Sequence, residues 1–293
     1  MSKLKHLFCL IISTLFINVM WAQSTDIFRL EYTNIPNQNS KSSVDRFRAL
    51  VQLPLKINDH NYFIIGGDYR YLNLSLENKP FPTDDLQAVQ TIEVSAGYLR
   101  KVKETSWYYG VRAGVRLAST FESKLEPDDY LYIVGAYAVL DRTDEDIYEK
   151  PNRLIFGLEY TTTPGRNYPL PILNYYREFH PNWTYTLGVP KTNIRYKFDK
   201  KNHLQAFVTL DNFHVNIQGG KLINGTAAQN ISQTLVLGGL GYEHYFTKHL
   251  LYFGYIAYSI HNDFRFRNNK RDEIYSIDDK GTLYFKTGIK FKF

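Results

Sequence analysis

The 293-residue chain contains a single cysteine, Cys9. One thiol forms no intramolecular disulfide, and it sits too early, after His-Leu-Phe, to resemble a lipidation cysteine. Long apolar runs are also missing. Beyond the N-terminus no stretch approaches the roughly 18 continuous apolar residues of a membrane-spanning helix, which excludes a helical membrane protein. Helical periodicity is almost absent; apolar residues recur at every second position instead. No glycine-rich phosphate cradle is present, since GGLGYE (238–243) falls within a strand-like run where glycines relieve crowding. The acidic run Asp141, Asp144, Glu145, Asp146 and Glu149, and the pair Asp278-Asp279, lack the spacing of a calcium loop. No metal and no cofactor is expected.

What the sequence does have begins at its N-terminus. Lys3 and Lys5 precede an apolar run from Leu7 to Trp21, and Ala22 is followed by polar sequence. That layout predicts a secretory signal peptide over residues 1–22, with one domain over 23–293. Its removal takes two lysines and no acid, so the formal net charge falls from +6 to +4 and the mature chain has no cysteine. The basic residues alternate with apolar ones instead of forming a tract, so nucleic-acid binding is not indicated. Tyrosine (24) and phenylalanine (19) are abundant, as expected where a surface is apolar on one side and wet on the other. The mean hydropathy of −0.36 is compatible with a barrel, whose lumen-facing residues dilute the average.

Period-two segments recur at 27–34, 43–56, 61–75, 88–102, 107–120, 129–140, 152–162, 171–179, 183–198, 203–217, 230–246, 250–264 and 281–293. Many exceed the five or six residues usual in soluble sheets and suit a tilted membrane strand. Tight connections (NDHN, KETS, HPN, DKKN, TKH) alternate with longer ones around 35–42, 77–87, 121–129, 218–230 and 265–280. That alternation is expected of periplasmic turns and external loops. One connection, DRTDEDIYEKPN (141–152), is long and acidic where a short turn is expected. The expected architecture is all-β: a transmembrane antiparallel β-barrel of about 12 strands in the bacterial outer membrane. Pro190 removes a ladder donor within 183–198, and a split there gives 14.

Two strands carry the argument furthest. In WYYGVRAGVRLAST, Trp107, Tyr109, Val111, Ala113, Val115 and Leu117 share one face, while Arg112 and Arg116 lie on the other. The chain ends GTLYFKTGIKFKF, with Lys286, Lys290 and Lys292 opposite Phe285, Ile289, Phe291 and Phe293. The pattern Lys286-x-Gly288-x-x-Phe291-x-Phe293 resembles the C-terminal assembly signal of outer-membrane barrels, which implies recognition by the barrel assembly machinery. On general layout and on Trp183, Leu187, Gly188 and Pro190 of NWTYTLGVPKTNIRYKF (182–198), the chain also resembles an uncharacterised outer-membrane β-barrel family of Bacteroidota. That family has no established activity, so the resemblance implies location and fold and adds no catalytic residue.

The expected lumen-facing groups are Asp68, Arg70, Glu93, Arg112, Arg116, Glu159, Lys286 and Lys290. Opposite charges on facing walls either pair and plug the barrel or leave a narrow polar channel. The leading expectation is a passive pore or small-solute transporter, with loops 77–87, 218–230 and 265–280 gating or recognising. A plugged barrel that binds an envelope protein partner is the alternative; outer-membrane lipid is the expected surrounding partner in both. No catalytic activity is expected. The one candidate to weigh is Ser259 and His261, two positions apart and so on one strand face, as in a phospholipase-like hydrolase. Glu243 and His244 point to opposite faces and form no shared site.

Overall fold

A computed structural model describes residues 26–144, 146–161 and 169–292. The residues of the expected signal peptide, Glu145 and the terminal Phe293 lie outside the described residues. From the N-terminal side, β1 (Asp26–Asn37), β2 (Ser42–Asn58), β3 (Asn61–Leu76), β4 (Val89–Lys101), β5 (Trp107–Ser119) and β6 (Tyr130–Arg142) form a continuous antiparallel meander. It continues through β7 (Asn152–Thr161), β8 (Pro169–His180), β9 (Trp183–Val189) and β10 (Lys191–Lys197). The long strands β11 (Asn202–Ile223), β12 (Thr226–Tyr245) and β13 (Leu250–Arg267) follow, then β14 (Glu273–Asp278) and β15 (Leu283–Lys292). Strand β15 pairs with β13 on one side and with β1 on the other, in the register Tyr32↔Thr287 and Leu30↔Ile289. That pairing closes the sheet into a ring.

Among the described residues fourteen strands form the ring, while β14 lies alongside β13 only. The lean toward twelve is thereby corrected. The segment 183–198 is two strands, β9 and β10, paired through Tyr185↔Ile194 and turning at Pro190. Gly188 enables that turn. Its φ of +149° suits glycine, and a Cβ there would meet the Leu173 carbonyl oxygen.

The burial pattern is that of a membrane barrel, with charge inside and apolar side chains outside. Val94 is 63% exposed, whereas its neighbour Glu93 is 4% exposed. Tyr109, Val111 and Val115 are exposed on the face of β5 opposite Arg112 and Arg116. Leu283, Phe285 and Ile289 are exposed on β15, while Lys286, Lys290 and Lys292 line the interior. Water would not tolerate an outer surface this apolar; hydrocarbon does, so the chain is a transmembrane β-barrel of the bacterial outer membrane. No helix of the described residues is long and apolar enough to cross a membrane.

The ends of the described chain and most short connections lie at one end, the periplasmic one in such barrels. The acidic connection 143–151 is at this end and contributes Thr143 and Asp146 to the interior lining. At the external end two expectations change. Residues 218–230 are not a loop: β11 and β12 run on to a tight turn at Asn224-Gly225. Within 265–280, β14 folds back on β13.

The β11–β12 hairpin does not stand up from the rim but folds inward. Strand β11 leaves β10 after Thr209↔Lys191 and reaches β5 directly, where Asn216 pairs in parallel with Ser119. Residues 213–218 are buried on both faces in consequence. Phe213, Val215 and Ile217 join Ile231, Leu235 and Leu237 of β12 in one apolar cluster. Ile35, Val44, Leu72, Leu74, Phe264 and Phe266 complete it from the surrounding wall. The external half of the barrel thus contains a packed core, which alternation alone assigns only as "inward".

Candidate functional site

Beneath that core lies a chamber of about 1230 Å³ lined by charged side chains. Strands β1 to β5 and β7 supply one wall. Arg48 donates to Asp68 at 2.6 Å and lies 3.3 Å from Glu31, while Arg70 donates to the same Asp68 at 3.0 Å. Arg112 and Arg116 both donate to Glu93 at 2.5 Å, and Arg112 lies 3.6 Å from Glu159. Glu31↔Arg48 and Glu93↔Arg116 face each other directly in the ladder, Arg70 and Asp68 share one face of β3, and Arg112 reaches Glu159 across Gly135 of the intervening β6.

The second wall comes from β10 to β13 and β15. Arg195 lies 3.3 Å from Glu243, which also accepts from Tyr255 at 2.9 Å and Gln205 at 3.1 Å. One pair crosses the chamber. Arg46 of β2 donates through both terminal nitrogens to Asp211 of β11, at 2.8 and 2.6 Å. Tyr284 donates to the same carboxylate, and Lys286 lies 3.4 Å from it. This bidentate bridge fixes β11 against the opposite side at the level where the hairpin turns inward.

Among the described residues, twelve Lys and Arg side chains line the chamber against eight Asp and Glu, an excess of four positive charges. The excess is concentrated. Lys191 donates to Gln205 at 2.8 Å and stands 4.8 Å from the ring centres of Phe207 and Tyr255. Lys290 is 3.4 Å from the Tyr255 hydroxyl, and Lys292 donates to the Tyr245 hydroxyl at 2.6 Å. Among the described residues no carboxylate comes within 4 Å of these three lysines, whose partners are neutral amides, phenols and ring faces. Cations arranged this way favour an anion between them.

The hairpin is clamped from outside the membrane. Asp129, in the short turn Pro127–Asp129 before β6, accepts from Asn216 and Gln218, each at 2.8 Å. Burial pushes the Asp129 carboxyl up, but hydrogen bonds from the Glu126 backbone N–H, Asn216 and Gln218 outweigh it, holding the carboxyl below the ordinary value. Lys221 pairs with Asp85 in the 77–88 connection, whose Leu86 is fully buried in the external core.

All eight sequence-derived lumen candidates line this chamber: Asp68, Arg70, Glu93, Arg112, Arg116, Glu159, Lys286 and Lys290. Sequence reading missed Glu31, Arg46, Arg48, Lys191, Arg195, Asp211 and Glu243, which line it too. Arg46 and Arg48 flank the exposed Phe47, so the same alternation rule would have found them. Lys191 was hidden by the break at Pro190.

Ser259 and His261 are not brought together. The β12–β13 register jumps from Val236↔His261 to Leu237↔Ser259, so Ile260 bulges outward and the two-residue alternation fails. Ser259 is 1% exposed and accepts from the Thr282 backbone N–H at 2.8 Å, while His261 is on the exposed side. Glu243 and His244 do point apart: Glu243 lines the chamber, and His244 lies beside Asn202 at 2.8 Å. Among the described residues no group of three or more His, Cys, Asp or Glu is placed to hold a metal.

The fold and this chamber define the class: an outer-membrane β-barrel with a charged lumen. Solved structures with a similar shape include an outer membrane channel from Pseudomonas putida F1 (TM-score 0.43, 10% identity, covering 94% of this chain and 100% of that one). The KdgM porin in complex with disordered oligogalacturonate matches with a TM-score of 0.38 and 9% identity, over 90% of this chain and 99% of that one. The translocator domain of autotransporter NalP from Neisseria meningitidis matches with a TM-score of 0.36 and 11% identity, over 100% of this chain and 95% of that one. At this level of superposition the similarities carry no inference about activity. No family model matches the chain, and no curated protein matches its sequence.

Proposed function

We propose that the chain is an outer-membrane channel for small anionic solutes, closed at its external end by the inward-folded β11–β12 hairpin. The observation that carries this reading is the set of lysines 191, 290 and 292, which among the described residues have no carboxylate within 4 Å and stand in a chamber whose described lining has four excess positive charges. Solute would be drawn in electrostatically, while Glu93, Asp211 and Glu243 narrow the path. Bilayer recording in a KCl gradient tests it. The wild-type reversal potential is expected on the anion-selective side. Lys290→Glu with Lys292→Glu leaves ten charges of each sign in the lining, and should carry the potential to near zero. An unchanged potential would remove the anion reading.

A second reading is a plugged barrel whose external surface binds another envelope protein. The external apolar core and the cross-chamber Arg46–Asp211 bridge favour it. A barrel that stays silent even after the hairpin is shortened belongs to this reading.

Assembly is expected to depend on the last strand. We propose that Lys286, Gly288, Phe291 and Phe293 form the signal read by the barrel assembly machinery. Gly288 faces Leu30 and Glu31 of β1 so closely that a Cβ would meet the Leu30 carbonyl oxygen, so the glycine also serves barrel closure. Deleting Phe293 should lower outer-membrane levels in vivo. Refolding into lipid vesicles, where no assembly machinery acts, should be nearly unaffected. Equal losses in both assays would mean the residue acts on stability and not on recognition.

A further inference from the structure

The barrel wall is incomplete on one side. Strands β9 and β10 have seven residues each, short of the ~9–11 that a strand needs to cross the hydrocarbon. At ~3.3 Å per residue and a tilt of ~40°, seven residues climb about 18 Å of an apolar band about 25 Å tall. Trp183 and Phe198, both exposed, mark the periplasmic start of this hairpin, so its tip at Val189–Pro190 stops within the outer leaflet. Above the tip, β11 turns away toward β5, and the last bond along this edge is Leu210 N–H to the Pro190 carbonyl at 2.9 Å.

Two cavities meet at this low rim. The charged chamber reaches over it, since its lining includes Val189 and Leu210, half-exposed on the lipid side, together with the inward-facing Lys191. On the lipid face just below lies an apolar groove of about 660 Å³ lined by Tyr185, Leu187, Ile194, Ala206, Val208 and Gly239. The groove runs down the wall from Leu187, beside the rim, to Phe179 near the periplasmic end of β8, and the cationic end stands at the top. This polarity matches an outer-leaflet lipid, with its tail inward and its head outward.

We propose that the β9–β10 hairpin is a binding site for an acyl-chain amphiphile with a phosphate head, drawn laterally from the outer leaflet. The chain occupies the outer groove, and the head crosses the rim at Pro190 to meet Lys191. Charge complementarity selects the occupant: Lys191 meets Gln205 and two ring faces but, among the described residues, no carboxylate within 4 Å. The site goes beyond the channel reading and does not depend on ion conduction.

The test uses the full barrel in detergent micelles, with binding followed by native mass spectrometry. Three probes separate the contributions: oleoyl lysophosphatidate, monooleoylglycerol with the same chain and no charge, and glycerol 3-phosphate with the same head and no chain. Lysophosphatidate should bind about tenfold more tightly than monooleoylglycerol, the worth of one charged hydrogen bond. Lys191→Gln should abolish that preference. Ala206→Phe, which adds bulk on the lipid face without disturbing the interior, should weaken both acylated probes. Equal binding of the charged and neutral lipids, or no response to Lys191→Gln, overturns the proposal. Competition by glycerol 3-phosphate as strong as by lysophosphatidate also overturns it and reassigns the lysine to soluble anions in the lumen. Loss of lipid binding with anion-selective conductance intact would refute this site alone.

Discussion

Replacing residues 215–231 by a two-residue turn should raise single-channel conductance by about an order of magnitude, because an apolar plug that keeps water out of the path is lost. The excision joins His214 to Ser232, which already face each other in the ladder, so the pairing of β11 with β12 below the cut is retained. It removes Val215, Ile217 and Ile231 from the external core, together with the contacts of Asn216 and Gln218 to Asp129. It also leaves Ile35, Val44, Leu72 and Leu74 facing a wet lumen, so the variant is less stable. Heat-modifiable migration in SDS gels should still report a closed barrel. A gentler variant, Asp129→Asn with Lys221→Ala, loosens both clamps while leaving the core in place. Brief openings at the conductance of the shortened barrel are expected from it. If both variants fold and neither conducts, the chamber is not a pathway and the plugged-barrel reading stands.

The second large effect lies at Asp211. Its carboxylate is shared by Arg46, Lys286 and Tyr284, and Arg46 is 3% exposed. Asp211→Ala leaves two cations facing each other with the carboxylate gone. Removing one partner of such a buried set costs about 3–5 kcal/mol. Replacing Arg46 and Asp211 together by leucine should recover most of that loss, since an apolar pair of similar volume is often neutral. Urea titration of the barrel refolded in lipid vesicles measures both, and a double-mutant cycle isolates the coupling. A loss below about 1 kcal/mol, the range of exposed pairs, would show that water screens the bridge and that the chamber is wide open at this level.

Much of the architecture was legible in the sequence because a membrane strand is a local object. Hydrocarbon on one side and water on the other force alternation at every second residue, whatever the neighbouring strands are. Glu93 between Ile92 and Val94, or Lys286 between Phe285 and Thr287, declares its side without reference to the rest of the fold. For the same reason all eight lumen candidates proposed from alternation line one chamber. Locality also explains the failures. The bulge at Ile260 reverses the phase within β13 and separates Ser259 from His261, and nothing in AYSIHND announces the extra residue. Residues 218–230 read as a loop because glycine and asparagine interrupt the pattern, yet they form the tip of a hairpin.

The sequence by itself determined a strand-built wall and its lipid and lumen faces, and marked Pro190 as a break that would give fourteen strands in place of the expected twelve; the structure decided for fourteen. Those features depend on side-chain alternation and on the missing proline donor, both readable within a dozen residues. Only the tertiary structure decided that β11 crosses from β10 to Ser119 of β5, that Arg46 meets Asp211, and that Lys191 has, among the described residues, no carboxylate within 4 Å. Such contacts join residues as far as 165 positions apart. Their geometry follows from barrel curvature and strand stagger, which no short stretch of sequence encodes.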